Sequence, residues 1–398
     1  MKTILNFLPV SQGGGMQNAM SFLEILAKDG QRKQEFQIVA RENSAIHLKC
    51  QEYDISHIAV KNSRIGRLRF ELGCQKYFSK GQVCFTFFGP PMLGSQDYLI
   101  NVVGCAYSNL FYPEIPFWSY LPWFQRTQKK LIDHYRKHIT ARGDYWIFET
   151  NVLKKRAIEL CCFPSHRVGV VRMAPSELVS PKNVKTKLAE EFSHKLTPGF
   201  RFLFLSAAHP NKRQHLLMAI AHQMVEKGFR GFSFATTMNK KDAYAKNVMD
   251  SFKRSGLSEH LMNIGPVPSD NVATLISCCD AMCSFSVLES FSNNFVEAWR
   301  MGLPLIVSDA DWARDACGKG AIYVKPMDAA GCAAQLIKIA TNATFRTEQI
   351  EFGKGQLSTY PTAEQKIHYY YREIEIAGQL GFCPAEERNK IRWPKNIA

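Results

Sequence analysis

SVLESFSNNFVEAWRMGLPLIVSD, residues 286–309, sets two carboxylates, Glu289 and Glu297, eight positions apart across a loop-to-helix junction. Phe295, Val296, Ala298, Trp299 and Met301 form an apolar stripe of helical period, which places Glu297 inside a helix. Glu289 precedes that helix in a polar segment with Ser290, Ser292, Asn293 and Asn294. Backbone N–H groups at a helix start lack intrahelical partners and carry partial positive charge, so the junction is suited to an anion such as a phosphate.

An acid before such a helix and an acid one turn inside it can hold a nucleotide sugar at three points. Sugar hydroxyls would meet Glu289, the diphosphate would meet the amides of Ser292, Asn293, Asn294 and Phe295, and ribose hydroxyls would meet Glu297. The plainer alternative makes Glu289 a surface residue and Glu297 a first-turn acid that complements the helix dipole.

The segment resembles the E-x7-E motif of retaining glycosyltransferases of family 4, and GLPLIVSD (302–309) is similar to that family's Gly-x-Pro strand. The resemblance implies the GT-B fold, with Glu289 on the donor sugar and Glu297 on the ribose. Ser290 and Ser292 stand where most members have glycines, and glycine allows a closer backbone approach than serine.

Outward from this stretch, short apolar runs alternate with helical patterns: ILNFLP, FQIVA, HIAV, VCFTFF, LINVVG, YWIFE and RVGVV, then RFLFLSAA, GFSFAT, LMNIG, AMCSFS, LPLIVS and AIYVKP. Such alternation predicts parallel βα units in two series. The expected architecture is α/β: two tandem doubly wound, Rossmann-like domains facing a central cleft. Residues 1–175 are expected to form an acceptor domain, 176–199 a linker, and 200–360 a donor domain. Residues 361–398 should hold a helix, with Tyr369, Tyr370 and Tyr371, followed by a basic tail. In relatives of the kind this chain resembles, that helix crosses back to the first domain.

The second series begins with a strand ending in AAHPNKRQHLL, where Lys212 and Arg213 are expected at a helix start. A cation there can neutralise charge on a departing diphosphate. The family usually has an arginine six positions before this lysine; Ser206 occupies that position, so Lys212 carries the charge alone or Arg213 compensates. In the first series, Gly13, Gly14 and Gly15 lead into the helical pattern AMSFLEILA and resemble the family's glycine-rich phosphate and acceptor loop. The pattern is not G-x-G-x-x-G, and FQIVA runs into Arg41 where a ribose-reading acid would stand, which disfavours a dinucleotide oxidoreductase. GCAYSNLFYPEIPFW (104–118) has the aromatic and turn residues of an acceptor pocket; Tyr107, Ser108 and Asn109 replace the histidine many relatives carry there, so no catalytic base is named.

Asp309-Ala-Asp311 is a literal D-x-D, but the acids follow a strand and begin a helical pattern, so they read as N-capping residues. His209 and His215 lack a third ligand nearby, no cysteines lie at zinc spacing, and the expectation is no metal and no cofactor, with the nucleotide sugar as substrate. Twelve scattered cysteines suit a reducing compartment, and no long apolar run or signal-peptide pattern appears, so a cytoplasmic setting is expected.

The net charge of +15 gathers in the first half, at Lys61, Arg64, Arg67, Arg69, Lys76 and Lys80, and again along 126–156. Such a face attracts polyanions. No nucleic-acid motif accompanies it, whereas Phe117, Trp118, Tyr120, Trp123 and Phe124 beside the bases fit peripheral contact with an anionic membrane; a solvated charged face over a core of aromatics is the other reading. The function expected is sugar transfer from a nucleotide diphosphate to a lipid-linked or oligosaccharide acceptor in surface polysaccharide assembly. The rivals are a nucleotide-sugar 2-epimerase and a non-catalytic sugar-nucleotide or membrane-binding module.

Overall fold

The structure is a computed structural model that describes residues 2–11 and 13–394. The chain divides into two compact units, Met1–Met173 with Thr362–Ala398, and Ala174–Pro361.

The first unit is built on seven strands: β1 (Thr3–Asn6), β2 (Phe36–Arg41), β3 (His57–Val60), β4 (Val83–Thr86), β5 (Ile100–Gly104), β6 (Tyr145–Phe148) and β7 (Val168–Val170). Their order is β3-β2-β1-β4-β5-β6-β7, every neighbouring pair parallel. A parallel sheet has helices on both faces, which is why these strands are almost unbroken apolar runs. The helix Gly13–Lys28 sends Ala19, Phe22, Leu23 and Leu26 into the core. The helix Ala363–Leu380 buries Ile367, Tyr370, Tyr371, Ile374 and Ala377 in that same core, at spacings of three and four that keep one face inward. It opens with a capping box, the Thr362 hydroxyl accepting from the Gln365 amide and the Gln365 side chain from the Thr362 amide. The C-terminal helix thus returns to the first unit.

The second unit holds β8 (Phe200–Phe204), β9 (Phe232–Thr236), β10 (Leu261–Asn263), β11 (Ala281–Ser284), β12 (Leu305–Ser308) and β13 (Ile322–Val324), ordered β10-β9-β8-β11-β12-β13 and again parallel throughout. In each sheet the order reverses beside the first strand, at β1/β4 and at β8/β11. Ligands of doubly wound sheets bind outside the carboxyl ends of the strands at such reversals.

The stretch 176–199, expected as a linker, is instead built into the second unit. It forms the helix Thr186–Lys195, anchored by Phe192 and Leu196, which are 6% and 4% exposed, and the Lys185 amide donates to Thr274 Oγ1 at 3.0 Å. Two apolar anchors in a charged segment were enough to dock it. The tail also differs from a loose end as far as Pro394: Arg388 pairs with Asp144 at 2.6 Å, and Trp393 packs against Trp146 and Phe111 with ring centroids 5.7 and 5.3 Å apart. The last four residues expected in that tail, 395–398, lie outside the described residues.

Candidate functional site

The site forms where β8 and β11 lie side by side. Two loops leave their carboxyl ends, and Asn211 fastens one to the other: its Nδ2 donates to the Leu288 carbonyl at 2.9 Å, its Oδ1 accepts from the Leu288 amide at 3.2 Å, and its own carbonyl accepts from the Val287 amide at 2.8 Å. Asn211 was not singled out from sequence, since an asparagine after a proline marks only a turn. The clamp sets Lys212 against Glu289: Lys212 Nζ donates to Glu289 Oε1, which also accepts from Ser286 Oγ at 2.6 Å. Both side chains are mostly sheltered, at 26% and 14% exposure.

Lys212 and Arg213 do not start the helix, as the pattern suggested. They lie in 3-10 turns over 210–216, and the α-helix begins at Leu217, because Pro210 and the left-handed Arg213 (φ +55°) delay regular hydrogen bonding. A non-glycine residue in that region is strained, and such strain gathers at functional sites. The Arg213 guanidinium has no ion-pair or hydrogen-bond partner among the described residues, and partial burial presses its pKa down. Ser206 has a structural duty: its Oγ accepts from Gln214 Nε2 at 2.9 Å and its amide donates to Thr237 Oγ1 at 3.1 Å, so it fixes the loop and supplies no charge.

After Glu289 the chain enters the helix Asn293–Arg300 with Ser292 as its N-cap residue, and no side chain caps it. The Phe295 amide is already spent on the Ser292 carbonyl at 3.1 Å, which removes it from the expected phosphate donors. Asn294 directs its side chain to the Leu205 carbonyl at 2.8 Å, tying the helix start to the end of β8, while its amide donates to no described group. Asn293 completes the first turn. Glu297 is 4% exposed in a helix that also buries Phe295, Val296, Ala298 and Trp299. Its carboxylate meets no described cation, and burial pushes its pKa up to about 7. That is a strong departure from a dipole-pairing surface acid, since a desolvated carboxyl needs hydrogen-bond donors to ionise. Trp299 in turn is fixed by Nε1 donating to the Gly320 carbonyl at 2.7 Å and by Gly353, where an added methyl would lie 2.6 Å from the Trp299 ring.

Neither Asp309 nor Asp311 occupies the N-cap position, although Asp311 Oδ1 accepts from the Trp312 amide at 2.7 Å in the first turn. The N-cap position of the helix Asp311–Cys317 is Ala310, while Asp309 pairs with Arg314 at 2.6 Å. Among the described residues no group of three metal-ligating side chains comes together.

In the first unit, Gly13, Gly14 and Gly15 form the first turn of the long helix instead of a loop before it; Gln12 lies outside the described residues. Gly13 has φ +67°, open to glycine without strain, and the Gly14 carbonyl accepts from Asn18 Nδ2 at 3.0 Å. Asn18 Oδ1 accepts in turn from the buried Lys366 Nζ at 2.6 Å, so the returning helix braces the glycine turn. Tyr107, Ser108 and Asn109 separate. Arg136 lies over the Tyr107 ring at 4.4 Å and Ser108 is buried at the head of a 3-10 turn, whereas Asn109 lines a cavity. Of the aromatics beside the bases, Trp123 and Phe124 are exposed, 78% and 57%, and are not core residues.

Two tandem parallel α/β units with the C-terminal helix returned to the first define the GT-B fold of glycosyltransferases. Residues 199–342 match the family model of group 1 glycosyl transferases, so the second unit carries a domain of that class. No curated protein matches the chain in sequence. Among solved structures, a glycosyltransferase from Rickettsia africae is similar at a TM-score of 0.70 and 15% identity, over 95% of this chain and 98% of that one. HepE of Anabaena, solved with UDP-glucose, is similar at 0.68 and 14%, over 94% and 99%. Sucrose-phosphate synthase from Thermosynechococcus elongatus is similar at 0.70 and 13%, over 94% and 98%.

Proposed function

We propose that the chain transfers a sugar, with retention at the anomeric carbon, from a nucleoside diphosphate sugar to a lipid-linked or oligosaccharide acceptor in surface polysaccharide assembly (lipopolysaccharide, capsule or exopolysaccharide). The observation that carries the proposal is the gathering at β8/β11 of Lys212, Arg213, which has no ion-pair partner among the described residues, Glu289, an uncapped helix start and the buried Glu297. The similarity to a protein solved with UDP-glucose supports a nucleotide-sugar donor.

In this reading Lys212, Arg213 and the amide of Asn294 take up the charge of the diphosphate as it leaves. Glu289, already sharing its oxygen with Ser286 and Lys212, orients the sugar hydroxyls and favours the cationic sugar of the transition state. Glu297 accepts from the ribose diol. The acceptor hydroxyl attacks on the face the diphosphate leaves, its proton passing to that phosphate, so the enzyme supplies no nucleophile, metal or cofactor. The bases of the first unit, with Trp123 and Phe124 exposed, support a reading of peripheral contact with an anionic membrane, the reaction proceeding at its cytoplasmic side.

Thermal-shift measurements with UDP, GDP, ADP, CMP and their sugars test the donor site. Stabilisation by one nucleoside diphosphate that is lost in Glu297→Ala is expected; no stabilisation by any of them overturns the reading. Incubation of the sugar nucleotide without an acceptor should leave its sugar unisomerised, and conversion to a 2-epimer would replace transfer with epimerisation.

A further inference from the structure

The first unit contains a cavity of about 860 Å³ that the donor site does not use. One wall is the helix Trp123–Thr140, which presents Arg126, Lys130, Asp133, His134 and Lys137 to it; the facing wall is the chain from Asn109 to Ser119, and Trp393 closes one side. This volume suits a small organic ligand.

Charge and hydrogen bonding give the ligand's character. Asp133 is the only acid among the described lining residues, and it is engaged: it accepts from Asn109 Nδ2 at 2.8 Å, Trp118 Nε1 at 2.6 Å and Arg136 Nη1 at 3.0 Å, the last also neutralising it. Among the described residues Lys130 and Lys137 form no ion pair, although the Asp133 charge acts on Lys137, and Lys137 lies 5.8 Å from the Trp393 ring. Arg126 Nη2 donates to the Ser119 and Leu121 carbonyls, which holds that side chain in the wall. Arg126, Lys130 and Lys137 set against one neutralised acid suit the wall to an anion. The remaining lining, Leu110, Ile115, Phe117 and Trp118 among it, is apolar and aromatic.

The outer face of the same helix agrees. Phe124, Leu131 and Tyr135, spaced seven and four apart, are 57%, 66% and 51% exposed. A helix with bases toward a cavity and an apolar stripe outward is suited to the boundary between lipid headgroups and chains.

We infer that this cavity binds a phosphorylated amphiphile, its phosphate held by Lys130 and Lys137, its apolar part against Phe117 and Trp118. A lipid-linked acceptor and an anionic bilayer lipid both have this chemistry. The site stands whether or not the chain transfers a sugar, because none of its residues belongs to the donor site.

The test is titration of the full chain with two water-soluble probes, dihexanoyl phosphatidate and farnesyl diphosphate, read by tryptophan fluorescence and calorimetry. Saturable binding of at least one is expected, weakened about tenfold or more by Lys130→Glu/Lys137→Glu. The same charge change at Lys76→Glu/Lys80→Glu should leave it within about twofold, since long-range attraction is screened at physiological salt. Preference for the phosphatidate identifies the bilayer as the source, and preference for the isoprenyl diphosphate an acceptor lipid. A far-ultraviolet circular dichroism spectrum and an unfolding midpoint matching the wild type show that Lys130→Glu/Lys137→Glu is folded. Binding of neither probe, equal loss in both double variants, or equally strong binding of inorganic phosphate overturns the inference.

Discussion

Lys212 Nζ donates to Glu289 Oε1 across 77 positions of sequence, so a cation and an acid assigned to opposite ends of a bound nucleotide sugar hold each other in place. In the proposed donor site, a diphosphate arriving at Lys212 would compete with Glu289 for the same ammonium. Glu289→Gln should therefore lower turnover by about 10- to 100-fold, the loss of one charged hydrogen bond, while leaving nucleoside diphosphate affinity within about threefold. Lys212→Ala should weaken both. The double variant should fall short of the product of the two single effects, because residues in contact couple. Steady-state kinetics with calorimetric Kd values checks all three, and strictly multiplicative effects would count against a shared role.

In the proposed donor site, Glu297 should make nucleotide binding sensitive to pH. Burial raises its pKa to about 7, above the ordinary 4.5, so the folded chain keeps this proton where the unfolded chain has lost it. The stability that Glu297 contributes is full below about 4.5 and is lost as pH rises through about 7. A diol is met best by the ionised form, so UDP, or whichever nucleotide binds, should bind more tightly at pH 8 than at pH 6, by up to about tenfold relative to Glu297→Gln measured at the same two values. Calorimetry in buffers of different ionisation enthalpy should register proton release on binding for the wild type and not for the variant.

Asn211 is the joint between the loops after β8 and β11. Asn211→Ala removes two side-chain hydrogen bonds and leaves the Leu288 amide and carbonyl unmet, which should cost about 1–3 kcal/mol in chemical unfolding. Turnover should drop further than the stability loss alone predicts, because Lys212 and Glu289 lose their alignment. A variant as active as the wild type would show that the pair aligns without the clamp.

Lys366 is 2% exposed, and burial lowers its pKa to about 8 from the ordinary 10.5. The unfolded chain binds more protons than the folded one between those values, so wild-type stability should rise relative to Lys366→Met as pH climbs from about 8 to 10.5, by up to about 3 kcal/mol. Paired denaturation curves at pH 7.5 and 10 detect the change. A flat difference would mean that the ammonium stays charged where it meets Asn18.

Strand-level architecture was readable because a buried parallel strand is a local signal: RFLFLS or LPLIVS needs no distant partner to be recognised. Glu297 was readable for the same reason, as an acid inside an apolar helical stripe. Relationships between segments were not. Nothing in the spacing of Lys212 and Glu289 announces their pairing, and Asn211 has no pattern of its own. The segment 176–199 looked like a linker since its charges are near neighbours in sequence, whereas Phe192 and Leu196 reveal their purpose only against the second unit. Asn109 reads no differently from Tyr107 or Ser108, yet only Asn109 faces the cavity, because Asp133 on another element draws it there.

The return of the helix Ala363–Leu380 to the first core makes the first unit a discontinuous domain, with the second inserted into it as one uninterrupted stretch. During synthesis the second unit can close its sheet as soon as Pro361 has left the ribosome. The first, although made earlier, must wait with the positions of Ile367, Tyr370, Tyr371 and Ile374 unfilled until residues 362–380 follow. The order in which these units become complete is the reverse of the order in which they begin.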